Sequence, residues 1–382
     1  MPRNVTVDIN VSRLTNKKHH MRKIFLSGLL SFLAMATQAQ YSSLNDKELG
    51  RLKELIHGNT EVKQLYASFE RNAAQALNDA PNPIDTISTE GKLMGDPKKT
   101  ATKASLQDMR KIYSLSLAYR INENTTYLQK AAAYLTAWAA LNRSKGDPID
   151  DTNMDEAIEG YDLIKTFLGG ADNQVIVQWL QQVGRAEINS FIKNPNKTTS
   201  FNNWNSHRLK VIGQIGWAIG DTSFQQFVVR ELKRQVSRNL YPDGSGFDFK
   251  ERDALHYHVY DLEPFIKLCI LLKRATGEDY YSYVSETQSS IKKSTEWLLP
   301  FVTGEKTHEE FVHSKVRFDS LRAANNEAGY KAGTLWDPLN GLKTIALAAY
   351  FNPAYTDTFK KLKQTDKAYA DWQLVLNRVR SY

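Results

Sequence analysis

Two short stretches of this sequence carry residue types that bind anions and move protons. The first runs Phe201-Asn202-Asn203-Trp204-Asn205-Ser206-His207-Arg208, with three Asn, a His and an Arg in close succession. Such a group is costly to bury and unusual in a plain loop. If a helix begins at Asn203, then Asn203 and His207 stand four apart and present an amide and an imidazole on one face. The alternative is a helix start and nothing more, because Asn and Ser cap helices well. The second stretch is Asp248–Tyr260. On one continuous helix Arg252, His256 and Tyr260 are spaced by four and form a stripe of a guanidinium, an imidazole and a phenol. That is equipment for binding a carboxylate and transferring a proton. A polar helix face in solvent is the plain alternative. His256 and His258 form a second alternative, a metal pair. A spacing of two suits a strand better than a helix, and no Cys or further His stands near at ligand spacing. Neither a metal nor a cofactor is expected. A weaker third group, Lys306-Thr307-His308-Glu309-Glu310-Phe311 with His313, Lys315, Arg317 and Arg322, mixes signs and suits a solvated surface, or else the wall of a binding groove.

The elements that must position these residues are helices. In Tyr127–Leu141 the apolar residues recur at three and four. The same holds in Gln174–Ile192, in the stretch that starts at Leu106, and in Phe265–Leu272, whose helix should stop near Gly277. Trp297-Leu298-Leu299 should end another at Pro300. Leu342–Tyr350 and Trp372–Val379 follow. Breakers at Pro81 and Pro83, Gly146-Asp147-Pro148, Gly169-Gly170, Asn194-Pro195-Asn196 and Pro242-Asp243-Gly244 punctuate them. Strict alternation is scarce. These spacings predict antiparallel helix pairs joined by short loops, all-α, arranged as an α/α barrel or a solenoid. The loop Tyr241–Phe247 lacks the Gly-Lys-Ser/Thr of a phosphate loop, and no Gly-x-Ser-x-Gly elbow is present.

Composition narrows the function. The formal charge of +8 is concentrated in a leader: residues 1–39 hold six basic residues and one acid, and the rest carries 44 basic and 41 acidic residues. A body so nearly balanced excludes a broad nucleic-acid surface and leaves room for a local cationic groove. In the leader, Met21-Arg22-Lys23, the apolar run Ile24–Ala36 and the small residues of Thr37-Gln38-Ala39 have the order of a signal peptide. Cleavage after Ala39 is expected, giving a periplasmic or secreted protein of residues 40–382; residues 1–20 read as an extended n-region or as lying upstream of a true start at Met21. The apolar run falls short of the roughly 20 residues a spanning helix needs. Cys269 is the one cysteine and lies in an apolar run, so a buried thiol is expected. The 18 Tyr, 16 Phe and 7 Trp suit a large core and also a groove that stacks on sugars.

At these residues the chain resembles the alginate lyase superfamily, the α/α-barrel polysaccharide lyases. Asp253-Ala254-Leu255-His256-Tyr257-His258-Val259-Tyr260 looks like that family's Arg-Ala-Leu-x-Tyr-His-x-Tyr segment, in which the last Tyr is catalytic. Asn202-Asn203 resembles its Asn-Asn-His segment. Tyr134–Ala139, Gly160–Ile164 and the Asp243-Gly244-Ser245 turn are similar to segments of the same group. There are two departures. Trp204 stands where the family has His, so the histidine is His207; Asp253 stands where it has Arg, so the arginine is Arg252. The Asn-Asn-Trp-Asn-Ser-His form looks closest to polysaccharide lyase family thirty-eight. The resemblance implies one incomplete α/α barrel and β-elimination of a 4-O-linked uronate polymer, alginate of mannuronate type or a glucuronate polymer.

Elimination removes the C5 proton, and that carbon is a poor acid until the adjacent carboxylate is neutralised, which is oxyanion-hole physics. By the resemblance, Asn203, His207 and Arg252 neutralise it, and Tyr260 acts as base and acid, its pKa lowered by Arg252 or a histidine. In guluronate the two events fall on opposite ring faces, and His207 becomes the base. Asn202, Trp204, Arg208, His256 and Tyr257 are expected to bind the substrate. Two other classes compete. A glycoside hydrolase would recruit two carboxyls from Asp243, Asp248, Glu251 and Asp253 and leave the Asn/His/Tyr/Arg group idle. A non-catalytic binder of acidic glycans would keep its affinity without Tyr260.

Overall fold

Helices account for nearly all regular structure in the residues described. The structure, a computed structural model, describes Met1 and residues 41–381; the expected leader lies outside them. In chain order the helices are α1 (Asp46–Gly58), α2 (Thr60–Ala76), α3 (Pro97–Ser105), α4 (Gln107–Asn122), α5 (Thr125–Leu141), α6 (Pro148–Asp151), α7 (Asp155–Ile164), α8 (Gly170–Lys193) and α9 (Asn203–Ile219). There follow α10 (Thr222–Asn239), α11 (Phe247–Arg252), α12 (Leu255–Thr276), α13 (Ile291–Val302), α14 (Arg317–Ala324), α15 (Leu342–Ala348), α16 (Ala354–Lys363) and α17 (Trp372–Arg380). Two strands of two residues each, β1 (Glu309–Glu310) and β2 (Thr334–Leu335), pair antiparallel.

The helices form an incomplete α/α barrel. An inner circuit runs from α4 to α7, α9, α12 and α15, each packed on the next. A second layer sets α5 against α4, α8 and α10 against α9, α13 against α12 and α16 against α15. Between α15 and α4 the circuit is bridged by α17, which packs on α15, α1 and α2. There the Phe69 ring lies 4.8 Å from Trp372 and 5.6 Å from Tyr113, centre to centre.

Local sequence explains the close approach of the inner helices. A Cβ on Gly160 would meet Ile112 of α4 at 2.9 Å, and one on Gly213 would meet Leu268 of α12 at 2.7 Å. At Gly160 the Ile112 backbone follows at 3.2 Å, so glycine is what lets α7 sit so near α4, whereas at Gly213 the Leu268 methyl would have to turn aside. α9 starts where its capping Asn202 accepts the Trp204 amide, and it ends at the left-handed Gly220. Between Asn203 and Ala218 every residue but Trp204 is buried. α12 stops at Gly277 as expected. Pro300 does not end α13 but sits in its last turn. Cys269 is buried.

Asp253 overturns the expected single stripe. It takes a left-handed conformation, φ 49°, so α11 ends at Arg252 and α12 starts afresh at Leu255. Arg252 is therefore not on the helix of His256 and Tyr260. The break is locked from outside. The Asp253 carbonyl accepts the Phe311 amide at 2.7 Å, and its carboxylate accepts the His313 amide at 2.9 Å. Glu310 then caps the new helix, accepting the amides of Leu255 at 2.6 Å and His256 at 3.0 Å.

Candidate active site

The cleft has two adjoining chambers, of about 490 Å³ and about 180 Å³. Tyr260, Arg322, Glu90 and Ile149 line both and so mark their junction. His207, Lys210, Lys267 and Lys343 line the larger chamber. Asn203, Trp204, Arg252, His256 and Tyr257 line the smaller one.

α9 supplies one wall, and its buried polar residues are nearly all accounted for. Arg208 is paired with Glu187 at 3.0 Å. Asn205 donates to Gln235, Ser206 to Asp261 and Lys210 to Asp155. Two donors on the cleft side stand apart. Among the described residues, Asn203 Nδ2 lies near the Asp248 carboxylate but in hydrogen-bonding geometry with no acceptor. His207 Nε2 is likewise buried and, among the same residues, without a partner. Unmet donors at this depth each cost on the order of 1–3 kcal/mol, which a bound anion would recover.

The state of His207 follows from its surroundings. Its Nδ1 is 2.8 Å from Thr152 Oγ1, and the same oxygen accepts from Lys210 Nζ at 2.6 Å. Burial first, and then the Lys210 ammonium, hold the imidazole pKa well below its ordinary value, so the ring is neutral at neutral pH. An ammonium only donates. A hydroxyl polarised by it is the better donor, and it directs its own proton to Nδ1. The remaining proton then sits on Nε2. Pro264 lacks the amide that would bond four residues back, and the freed Tyr260 carbonyl lies near the His207 ring but makes no well-formed hydrogen bond with Nε2.

Tyr260 sits 4.4 Å from His207, ring centre to ring centre, and its hydroxyl has no hydrogen-bond partner among the described residues. The expected lowering of its pKa is not found. Burial pushes it well above the ordinary phenol value; Glu90, Tyr330 and Glu263 add to this, and Arg322 opposes it. Arg252, expected as the cation beside it, is bonded instead to the buried Asp319 carboxylate, with its guanidinium 3.8 Å over the Tyr257 ring.

The other expected contacts divide. Trp204, His256 and Tyr257 line the cleft, with His256 held down to about 4 by burial and then by Arg322 and Arg252. Arg208 does not reach it: its side chain is 3% exposed and committed to Glu187, Thr199 and Asn205. Asn202 spends its side chain on the α9 cap and on Asp248. His258 turns away from His256 onto Trp297 and the Ser294 carbonyl, so the two do not form a pair. Arg322 belongs to the mixed-sign run for which the sequence left open a solvated surface or the wall of a binding groove, and it lines the wall. It donates to the Tyr257 hydroxyl at 2.7 Å and the Tyr330 hydroxyl at 2.8 Å.

The alginate lyase family model matches residues 57–308 of the chain. The chain belongs to the alginate lyase family. It is accordingly a polysaccharide lyase, which cleaves an acidic uronate polymer by β-elimination. Among solved structures it is similar to an alginate lyase from Bacteroides ovatus, at 14% identity and TM-score 0.65, covering 90% of this chain and 99% of the other. It is also similar to alginate lyase A1-III from Sphingomonas species A1, at 18% identity and TM-score 0.57, covering 71% and 81%. A variant of A1-III complexed with a tetrasaccharide aligns at 19% identity and TM-score 0.57, covering 71% and 80%. At these identities the likeness supports the shared fold. No curated protein matches the chain. The family match stops at residue 308, so this lyase draws Arg322 and Tyr330 from beyond it.

Proposed function

We propose that this lyase cleaves a 4-O-linked uronate polymer of mannuronate or glucuronate type, with alginate rich in mannuronate first. The observation that carries the reading is the convergence of the unmet donors Asn203 Nδ2 and His207 Nε2 on a cleft with an unpartnered tyrosine hydroxyl. A C5 carboxylate bound there receives two hydrogen bonds just as the enolate-like charge develops. Tyr260 removes the C5 proton and returns a proton to the departing O4, so one hydroxyl serves both events on one ring face. Arg252 completes the smaller chamber beside Asn203. A His207 protonated at Nε2 is a donor and not a base, which favours mannuronate or glucuronate over guluronate. The Asn-Asn-Trp-Asn-Ser-His segment supports a place near polysaccharide lyase family thirty-eight. The leader order supports export to the periplasm or beyond, with Gln40 as the first residue that amino-terminal sequencing should read.

The test is a panel of uronate polymers followed by ultraviolet absorbance, because only elimination creates a conjugated double bond. Tyr260→Phe should keep the fold and lose activity to near background. Tyr257→Phe, on an adjoining face, should keep more. Unsaturated product formed by Tyr260→Phe at an ordinary rate would transfer the base to His207. Cleavage without ultraviolet absorbance would turn the reading toward hydrolysis.

A further inference from the structure

A tyrosine raised by burial and flanked by Glu90 and Glu263 cannot give up its proton to a site that also receives an anion unless a cation stands there. Arg252 is poorly suited, because the Asp319 carboxylate already cancels its charge. Arg322 is placed differently. It lies at the chamber junction with Tyr260. Its Nη1 is held by the hydroxyls of Tyr257 and Tyr330, and its guanidinium lies 4.6 Å from the Phe318 ring centre and 4.7 Å from that of Tyr330. Aromatic walls fix the fork without cancelling its charge. Its Nη2 has no hydrogen-bond partner among the described residues, and its ion pair with Glu327, at 3.8 Å from Nε, is looser than the one Asp319 makes with Arg252 at 2.5 Å.

We propose that Arg322 is the guanidinium that grips the reacting uronate's carboxylate at the junction beside Tyr260, in the place the sequence gives to Arg252. The proposal rests on the elimination reading above. The charged and titratable groups nearest Tyr260 are Glu90 from the segment before α3, Tyr257 and Glu263 from α12 itself, His207 from α9, Tyr330 from the segment after α14, and Arg322 from α14; Lys210, Lys267 and Lys343 line the same chamber but are paired with Asp155, Glu159 and Glu263. Arg322 is the one of the nearest groups that favours the phenolate.

The experiment compares Arg322→Ala, Arg322→Lys and Arg252→Lys with the parent, on a uronate oligomer and on its methyl ester, across pH. Arg322→Ala should lower kcat/KM on the free acid on the order of 100-fold. It should also move the ascending limb of the kcat/KM–pH profile to higher pH. On the ester, which has no carboxylate charge to grip, the loss should shrink. Arg322→Lys should recover part of the rate and of the limb position, which guards against a folding artefact, as does an unchanged circular dichroism spectrum. Arg252→Lys should leave the limb in place. If Arg322→Ala keeps the limb and loses as much on the ester as on the acid, the proposal is overturned; a shift in Arg252→Lys alone overturns it as well. Tyr260→Phe run alongside separates the two failures. An inactive Tyr260→Phe with an unaffected Arg322→Ala removes only Arg322, whereas an active Tyr260→Phe removes the tyrosine reading itself.

Discussion

At the scale of single residues, the site works through what is left unpaired. Lys210 is central, since its ammonium satisfies Asp155 and Thr152 and through Thr152 sets the face of His207. Burial lowers Lys210 itself to about 8, while Asp155 opposes this. Lys210→Met should therefore raise the His207 pKa, because a nearby cation that disfavoured the imidazolium is gone. An NMR titration of the imidazole should show that rise, with a fall in kcat as the ring begins to charge. An unmoved titration would remove Lys210 from this role. Asn203 and His207 were legible in the sequence as odd residue types at a spacing of four, and Tyr260 through the segment that resembles the family's. Lys210 was not, and Arg322 was legible only as one member of a run that could be surface or groove wall. One lies in an apolar helix and the other in a charged run, and neither context signals that the side chain turns inward.

Periodicity predicted the elements well, because most helices bury one broad face, and Tyr127–Leu141 and Gln174–Ile192 differ from the observed bounds by a few residues. It failed at Asp253. The residues Lys250–His258 have good helical spacing, and only the docking of residues 308–313 breaks them. The cap at Glu310 gives that docking a measurable signature. Burial raises its carboxyl from the ordinary value of 4.5 to about 7, against two amide hydrogen bonds that lower it. A folded-state pKa above the unfolded one means the associated stability is present at low pH and lost as pH rises from about 4.5 to about 7. Glu310→Gln removes that loss, so its stability relative to the parent should improve across this window in denaturant titrations. Glu310→Ala should cost about 1–2 kcal/mol below about pH 4.5, as the loss of a helix cap does, and less as pH rises and the parent loses its own share. A Gln variant whose difference from the parent is flat with pH would show that the carboxyl ionises freely in the fold.

For the whole molecule, the ring is held shut by its last helix. Leu374, Val375, Leu376 and Val379 of α17 are buried, together on the order of 6–12 kcal/mol at 1.5–3 kcal/mol each, comparable with the entire stability of a domain. A chain truncated at Gln364 should therefore lose its cooperative unfolding transition and bind hydrophobic dyes. A sharp transition in that chain would show that the inner circuit stands without α17. The arrangement also has a consequence in time. The Tyr369 amide reaches the Glu61 carboxylate across 308 positions of sequence. At a synthesis rate of roughly 5–20 residues per second, α1 and α2 wait roughly 15–60 s for the last helix that covers them. Isolated helices form in about a microsecond and α4 follows α2 early in the chain to cover part of it, so for most of that interval the pair is built with the side that meets α17 still bare. Its apolar face is open to any holdase or aggregate that finds it before the ring can close.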